Sequence, residues 1–230
     1  MKSPKKAGLL FTLVLSCLAN AHATELYYNI SMVSLYKSSG VDQDYSSPTG
    51  SFDEGYVPLF RGGVHADLGD GFYVGNWNST GAFGGASLEI DFYGGYTGTV
   101  SEQLSYNVGY GHYLYPGEST WNGGELYLSV TSGAVTAKIT NGLSGTLRDG
   151  STSKSRMSLS YNVELQEQLR MTATYGIRNK AAGAFNDSGL TLVRTLGEGE
   201  ALSATYSAAT KPSSDSTRKG RLVVGFKQDF

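Results

Sequence analysis

Apolar and polar residues alternate strictly along most of this chain, and that period of two limits the fold more than any other feature. Leu104, Tyr106, Val108 and Tyr110 alternate with Ser105, Asn107, Gly109 and Gly111. Leu88, Ile90 and Phe92 alternate with Ser87, Glu89 and Asp91. Met157, Leu159, Tyr161 and Val163 do the same with Arg156, Ser158, Ser160 and Asn162. Successive side chains of a strand point to opposite faces, so each segment carries one apolar and one polar face. The pattern predicts twelve strands: 26–36, 56–68, 72–80, 86–98, 104–115, 124–131, 135–142, 154–163, 169–178, 188–195, 201–209 and 218–230. No helical periodicity separates them, so parallel βαβ units are excluded and an antiparallel up-and-down meander is expected.

The connections alternate in length. Gly69-Asp70-Gly71 and 99–103, 132–134, 164–168 and 196–200 are short. The links 37–55, 116–123, 143–153, 179–187 and 210–217 are long and polar, and 81–85 is intermediate. Tight turns at one end and long loops at the other, with an even strand count, are the pattern of an outer-membrane barrel. The polar faces are rich in Gly, Ser and Thr and poor in Lys and Glu, which suits an enclosed lumen better than a soluble surface. Aromatics gather near segment ends (Tyr27, Tyr28, Tyr36, Tyr56, Phe72, Tyr73, Tyr113, Tyr115, Trp121 and Phe230), as girdles at two membrane interfaces would require. On this reading the tyrosines anchor the interfaces and are not carbohydrate-stacking platforms. The expected fold is therefore all-β, a closed antiparallel up-and-down transmembrane β-barrel of about 12 strands.

Residues 1–23 read as a separate unit, a cleaved signal peptide. Lys2, Lys5 and Lys6 precede an apolar stretch, Ala7–Leu18, and Ala21-His22-Ala23 supplies the small residues of a cleavage site. The apolar run is too short to span a bilayer as a helix, which takes about 20 residues. Residues 24–230 would then form the barrel, with net charge moving from −2 to −5 as three lysines depart. So small a charge argues against a nucleic-acid partner. The single cysteine, Cys17, lies in the leader, where Val14-Leu15-Ser16-Cys17 loosely resembles a lipidation signal with a poorly fitting Leu15.

Parity assigns the inward charges. They are Arg61, His65, Asp67, Glu89, Asp91, Glu125, Lys138, Arg156, Arg170, Arg178 and Lys227. These are the candidates for lining a pore, since charge rings decide which ions pass. The second half of the set is basic and the first mixed, so a transverse field favouring small zwitterions or anions is expected. The competing reading is that the charges pair with one another and plug the lumen. Twelve strands about 4.8 Å apart, tilted about 40°, give a backbone diameter of roughly 24 Å and leave a narrow opening once side chains are counted.

Other motifs carry less. His112 beside Ser105 or Ser129 could imitate a hydrolase pair, but no orienting group follows, and no enzyme activity is expected. Ser151-Thr152-Ser153-Lys154 matches S-x-x-K, yet it enters a strand rather than a helix. Gly94-Gly95 allows a bend or close packing within a strand. Asp42, Asp44, Asp53 and Glu54 make loop 37–55 acidic, for which a solvated loop is the simpler account than a cation site. No cofactor or metal is implied.

Two resemblances bear on this reading. Leu222–Phe230, ending on Phe226 and Phe230, resembles the terminal strand of bacterial outer-membrane barrels, which implies recognition by the barrel assembly machinery. Gly71–Trp77, Ser87–Gly98, Tyr106–Tyr110 and Tyr115-Pro116-Gly117 together resemble the TorF family of outer-membrane porins, as does Asn29–Tyr36. The family's Arg-Gly after the first strand is Ser39-Gly40 here. The resemblance implies a barrel in the outer membrane of a Gram-negative bacterium, with membrane lipid around it and small hydrophilic solutes passing by diffusion. The alternatives are a closed barrel with a structural or partner-binding role, or a soluble periplasmic β-protein that buries the same apolar faces internally.

Overall fold

The computed structural model describes residues 25–43, 57–83, 85–144, 155–179, 184–210 and 218–230. The expected leader, the Ser151–Lys154 motif, Tyr56 and the acids Asp44, Asp53 and Glu54 lie outside these residues. Twelve strands close into one antiparallel barrel. They are β1 (Glu25–Val33), β4 (Leu59–Gly69), β5 (Phe72–Phe83), β6 (Ala86–Ser101), β7 (Leu104–Leu114), β8 (Gly123–Ser132), β9 (Val135–Ser144), β10 (Ser155–Gln166), β11 (Leu169–Asn179), β12 (Phe185–Thr195), β13 (Glu200–Ala209) and β14 (Arg221–Asp229). Each strand pairs with its neighbour in sequence, and β1 pairs with both β4 and β14 to complete the circle. Two short strands, β2 (Lys37–Ser38) and β3 (Val41–Asp42), form a separate hairpin after β1.

The twelve expected segments correspond one to one with the barrel strands. Two boundaries differ with consequence. Strand β5 runs to Phe83 where 80 was expected, so it ends three positions before β6 begins and the intermediate connection is shorter than expected. Strand β12 begins at Phe185 rather than 188, which brings Asp187 into the wall. The tight end relies on backbone that most residues avoid. Gly69, Asp70 and Gly71 all have positive φ, of 84°, 52° and 86°, which glycine adopts without cost.

The apolar faces point outwards. Met157, Leu159, Leu222 and Val224 are each at least half exposed, and Phe60 and Phe92 likewise. Among the described residues the buried apolar ones are Leu35, Leu59, Phe83, Ala86 and Phe185, all gathered at the long-loop end. The alternative of a soluble body with its apolar faces packed together is thereby overturned, because those faces form the outer surface of a closed cylinder. One strand departs from the pattern. Asn76 and Asn78 stand on the outer face of β5, stitched to each other at 2.6 Å and to the carbonyls of Asp91 and Gly62 at 2.9 and 3.4 Å.

Candidate pore interior and mouth

Two adjacent rungs of the sheet build one wall of the interior. In the first, Tyr73 of β5 pairs with Gly95 of β6, Gly95 with Gly109 of β7, and Gly109 with Tyr127 of β8. The two tyrosines reach towards each other over the glycines, and their hydroxyls meet at 2.8 Å. Tyr73 also donates to Asn107 Oδ1 at 2.6 Å. In the second rung, His65 of β4 pairs with Gly75 of β5, and Gly75 with Tyr93 of β6. Across that glycine His65 Nδ1 and Tyr93 Oη lie 3.2 Å apart. A methyl group on Gly75, Gly95 or Gly109 would lie within 2.6 Å of the tyrosine above it, so each tyrosine packs directly over a glycine. This explains part of the 31 glycines, about twice the usual share. It also gives Gly95 of the Gly94-Gly95 pair the close-packing role expected for it.

The other wall carries hydroxyls. Ser160 and Thr174 are 3.0 Å apart, Thr172 donates to Asn162 at 2.8 Å, and Thr191 and Thr205 are 3.0 Å apart.

The long-loop end forms the mouth. Residues after β1 turn inward there. Ser39 and Gly40, both at positive φ, make the two-residue turn between β2 and β3, as such hairpins require. Tyr36 donates to Glu89 Oε2 at 2.7 Å, and Tyr115 to Glu89 Oε1 at 2.6 Å. Burial, reinforced by the Glu89 carboxylate, raises both phenol pKa values above the ordinary range, so both stay protonated and donate. Arg61 lies 4.3 Å above the Tyr36 ring and 5.6 Å above Trp77. Asp42, 1% exposed, bridges Lys37 at 2.6 Å and Arg221 of β14 at 2.8 Å. The hairpin is thus tied to β6 on one side and to β14 on the other.

All eleven inward candidates stand on the face opposite the exposed apolar one, at different heights. Glu89, Asp91 and Glu125 make an acidic arc on β6 and β8 near the mouth. Arg156, Arg178 and Arg221 lie further round the wall on β10, β11 and β14, with Arg156 two strands from Glu125. Arg156 and Arg178 are direct cross-strand partners, and Asp187 binds Arg156 through both oxygens at 2.9 and 2.6 Å. His65 and Lys138 belong to the aromatic wall, with Lys138 Nζ 4.9 Å from the Tyr127 ring. Asp67, Arg170 and Lys227 lie towards the tight-turn end. There Asp67 accepts from the Gly69 amide at 2.9 Å, Arg170 pairs across the ladder with Glu164, and Lys227 meets Asp229 at 2.7 Å. Buried polar atoms without a hydrogen-bond partner include Arg61 Nε and Asp91 Oδ1.

Some residues differ from their expected places. Tyr36, Tyr73, Tyr113 and Tyr115 face the interior and are not girdle residues, because each shares parity or a hydrogen bond with inward groups. Tyr28, Phe72 and Phe230 do stand on the outer surface, 49, 55 and 73% exposed. Trp121 packs edge-on against Tyr115. His112 faces outward and bonds Tyr110 Oη at 3.1 Å, while Ser105 and Ser129 face inward, so the hydrolase pair does not form. Asp42 is spent in its ion pairs rather than in a solvated acidic loop. Asp187 and Arg221 were missed by the sequence reading. Arg221 has the parity of Lys227, which could have revealed it; Asp187 fell before the expected start of its strand.

A family described as "Bacterial protein of unknown function (Gcw_chp)" matches residues 19–228. The chain belongs to this family. That is a different name from the TorF family, while the porin-like barrel which that resemblance implied is the fold of this Gcw_chp protein. No curated protein matches it in sequence. Among solved structures it is similar to the KdgM porin in complex with disordered oligogalacturonate, with TM-score 0.61 and 9% identity over 89% of this chain and 98% of that one. The NanC porin is similar at TM-score 0.53 and 7% identity, over 89% and 98%. At such identities the likeness is one of fold.

Proposed function

We propose that this Gcw_chp protein is a channel of the bacterial outer membrane, through which ions and small hydrophilic solutes diffuse without an energy source. The observation that carries the reading is the inverted distribution of side chains: apolar residues form the outside of a closed barrel, and charges and hydroxyls fill its inside. A soluble protein seldom exposes so continuous an apolar surface, whereas a membrane barrel requires one. The porin fold of the two solved neighbours and the TorF resemblance of residues 26–120 support the same reading. Residues 1–23 act as the exported leader, removed after Ala23. Phe226 and Phe230 serve as the signal read by the assembly machinery.

On this reading the acidic arc of Glu89, Asp91 and Glu125 gives way round the mouth to the basic residues Arg156 and Arg178. The field between them orients a dipolar solute as it enters. Arg61 stands at the same level as Glu89, each paired with Ser79, and His65, Asp67, Lys138, Arg170 and Lys227 continue the charged lining below. A second reading, a closed barrel that binds a partner, is favoured by one observation: the hairpin of β2 and β3 occupies part of the mouth.

Conductance in planar bilayers decides between them. Refolded protein that shifts its gel mobility on heating should give steady, discrete current steps. Silence from protein proven folded in that way would reject the channel.

A further inference from the structure

The outer face of the barrel has a relief that a plain lipid-facing surface does not require. One row of outward side chains crosses the strands through Leu192, Ala204, Val224 and, past the β1–β14 seam, Ser34. Ala204 and Ser34 are small, so this row lies low. The neighbouring row towards the tight turns is taller and runs through Arg194, Leu202, Phe226 and Met32. The difference in height leaves an apolar groove of about 560 Å³ across the seam, reaching Pro58 beside β4. Barrel strands tilt by about 40°, so a row that crosses them climbs the wall. The groove has its foot at Arg194, one residue from the tight-turn end of β12, and its head at Ser34, just past the long-loop end of β1. From β12 to Pro58 it crosses four inter-strand spacings, roughly 19 Å. One leaflet is half of a hydrocarbon core of about 30 Å, so a single acyl chain matches the groove in length.

The foot of the groove is charged. Among the described residues, Arg194 and Glu200 are the only Asp, Glu, Lys or Arg side chains with outward parity on the twelve barrel strands. Both are exposed. They stand on adjoining strands, since Arg194 pairs with Leu202, two residues on from Glu200. The Arg194 guanidinium reaches the Glu167 carbonyl at 3.4 Å and, with five N–H donors, keeps others to spare. A cation and an anion side by side match the phosphate and ammonium of one zwitterionic headgroup. An anionic headgroup would meet Glu200 as well as Arg194, together with the turn acids Glu167 and Glu198. Short turns face the periplasm in barrels of this kind, which sets the charged foot at the periplasmic leaflet.

We propose that this groove holds one phosphatidylethanolamine of the periplasmic leaflet, its phosphate on Arg194, its ammonium on Glu200 and one acyl chain along Ala204, Val224 and Ser34. The proposal goes beyond the channel reading and rests on the membrane placement of the barrel, whether or not the lumen conducts. A lipid held there covers the junction that closes the cylinder.

The test is native mass spectrometry of the refolded, detergent-solubilised protein titrated with phosphatidylethanolamine. Wild type should bind one such lipid in preference to phosphatidylglycerol. A diacylglycerol with the same chains should bind about five- to tenfold more weakly, and Arg194→Gln should weaken phosphatidylethanolamine by the same factor. Ala204→Phe fills the groove and should abolish the bound lipid. Ala137→Phe adds the same bulk to the outer face of β9 and should retain it. Glu200→Gln should lower the preference over phosphatidylglycerol by about two- to fivefold. Heat-modifiable mobility identifies the variants that have folded. Wild-type retention in both Arg194→Gln and Ala204→Phe, or diacylglycerol bound as well as the phospholipid, would overturn the site. A lipid-free dimer that Ala204→Phe dissociates would assign the groove to a second copy and overturn it as well. Protein that stays dissolved as a monomer without detergent rejects the membrane placement itself, whereas detergent-requiring protein that binds no lipid rejects the groove site alone.

Discussion

Tyr73 and Tyr127 touch although two whole strands lie between them. Three inter-strand spacings of about 4.8 Å separate their backbones, so the hydroxyls reach 2.8 Å only if both side chains extend along the wall. Gly95 and Gly109 are the reason they can. A leucine at 95 would place its Cβ 2.5 Å from the Tyr73 hydroxyl. Gly95→Leu should therefore lift the ring into the lumen, lower the conductance step, and cost about 1–3 kcal/mol as overpacking does. Gly189→Ala is the control, since its Cβ would meet nothing closer than 3.8 Å. Denaturant unfolding from micelles and single-channel current read the two effects.

Arg156 and Arg178 face each other across the β10–β11 ladder, an arrangement that like charges disfavour. Asp187 offsets it through a two-oxygen bond to Arg156. Asp187→Asn should shift the reversal potential in a salt gradient towards anions and reduce stability. Arg178→Glu or Arg170→Glu should shift it towards cations. An unmoved reversal potential in all three would remove these side chains from the ion path.

The mouth hairpin is held by Tyr36 and Tyr115 on Glu89, and by Asp42 between Lys37 and Arg221. Tyr36→Ala combined with Asp42→Asn should release both anchors. Larger current steps and faster proteolysis between 34 and 43 are expected. Equal steps with faster proteolysis would mean that the hairpin does not narrow the passage.

Leu159 stands on the outer face, 54% exposed, midway along β10. Leu159→Arg should cost about 2–4 kcal/mol when the barrel is folded into a bilayer, as charges at the midplane do. Measured in detergent micelles, the same change should cost less. A cost independent of the surrounding medium would contradict a lipid-facing position.

Much of this architecture was legible from alternation alone, because a period of two fixes both the strand and the face of every residue on it. Leu159 outward and Arg156 inward follow from parity without any knowledge of partners. What parity cannot give is the number of strands a side chain crosses. Phe72 and Tyr73 are neighbours in sequence, both aromatic and both at a strand end, yet one faces out and the other lies over Gly95. Only the register, which pairs Tyr73 with Gly95 and Gly95 with Gly109, distinguishes a girdle residue from one that packs inside the barrel. The anchoring of Tyr36 was hidden for a similar reason: it depends on a loop folding inward, and loops carry no periodicity. Asp187 was lost through a boundary error of three residues, the usual weakness of pattern reading at strand ends.

The cylinder is joined along β1 and β14, where the ladder runs from Asn29–Asp229 to Val33–Gly225 and is extended by paired bonds between Tyr28 and Phe230 and by Ser34 with Val224. Those last two partners lie 190 positions apart. Every other junction joins strands much closer in sequence, but this one must wait for nearly the entire polypeptide to be in place, and closing so large a loop is entropically slow. Until it shuts, two raw edges stay open to any passing strand, so a helper that shields them during insertion would protect the chain at its most vulnerable moment.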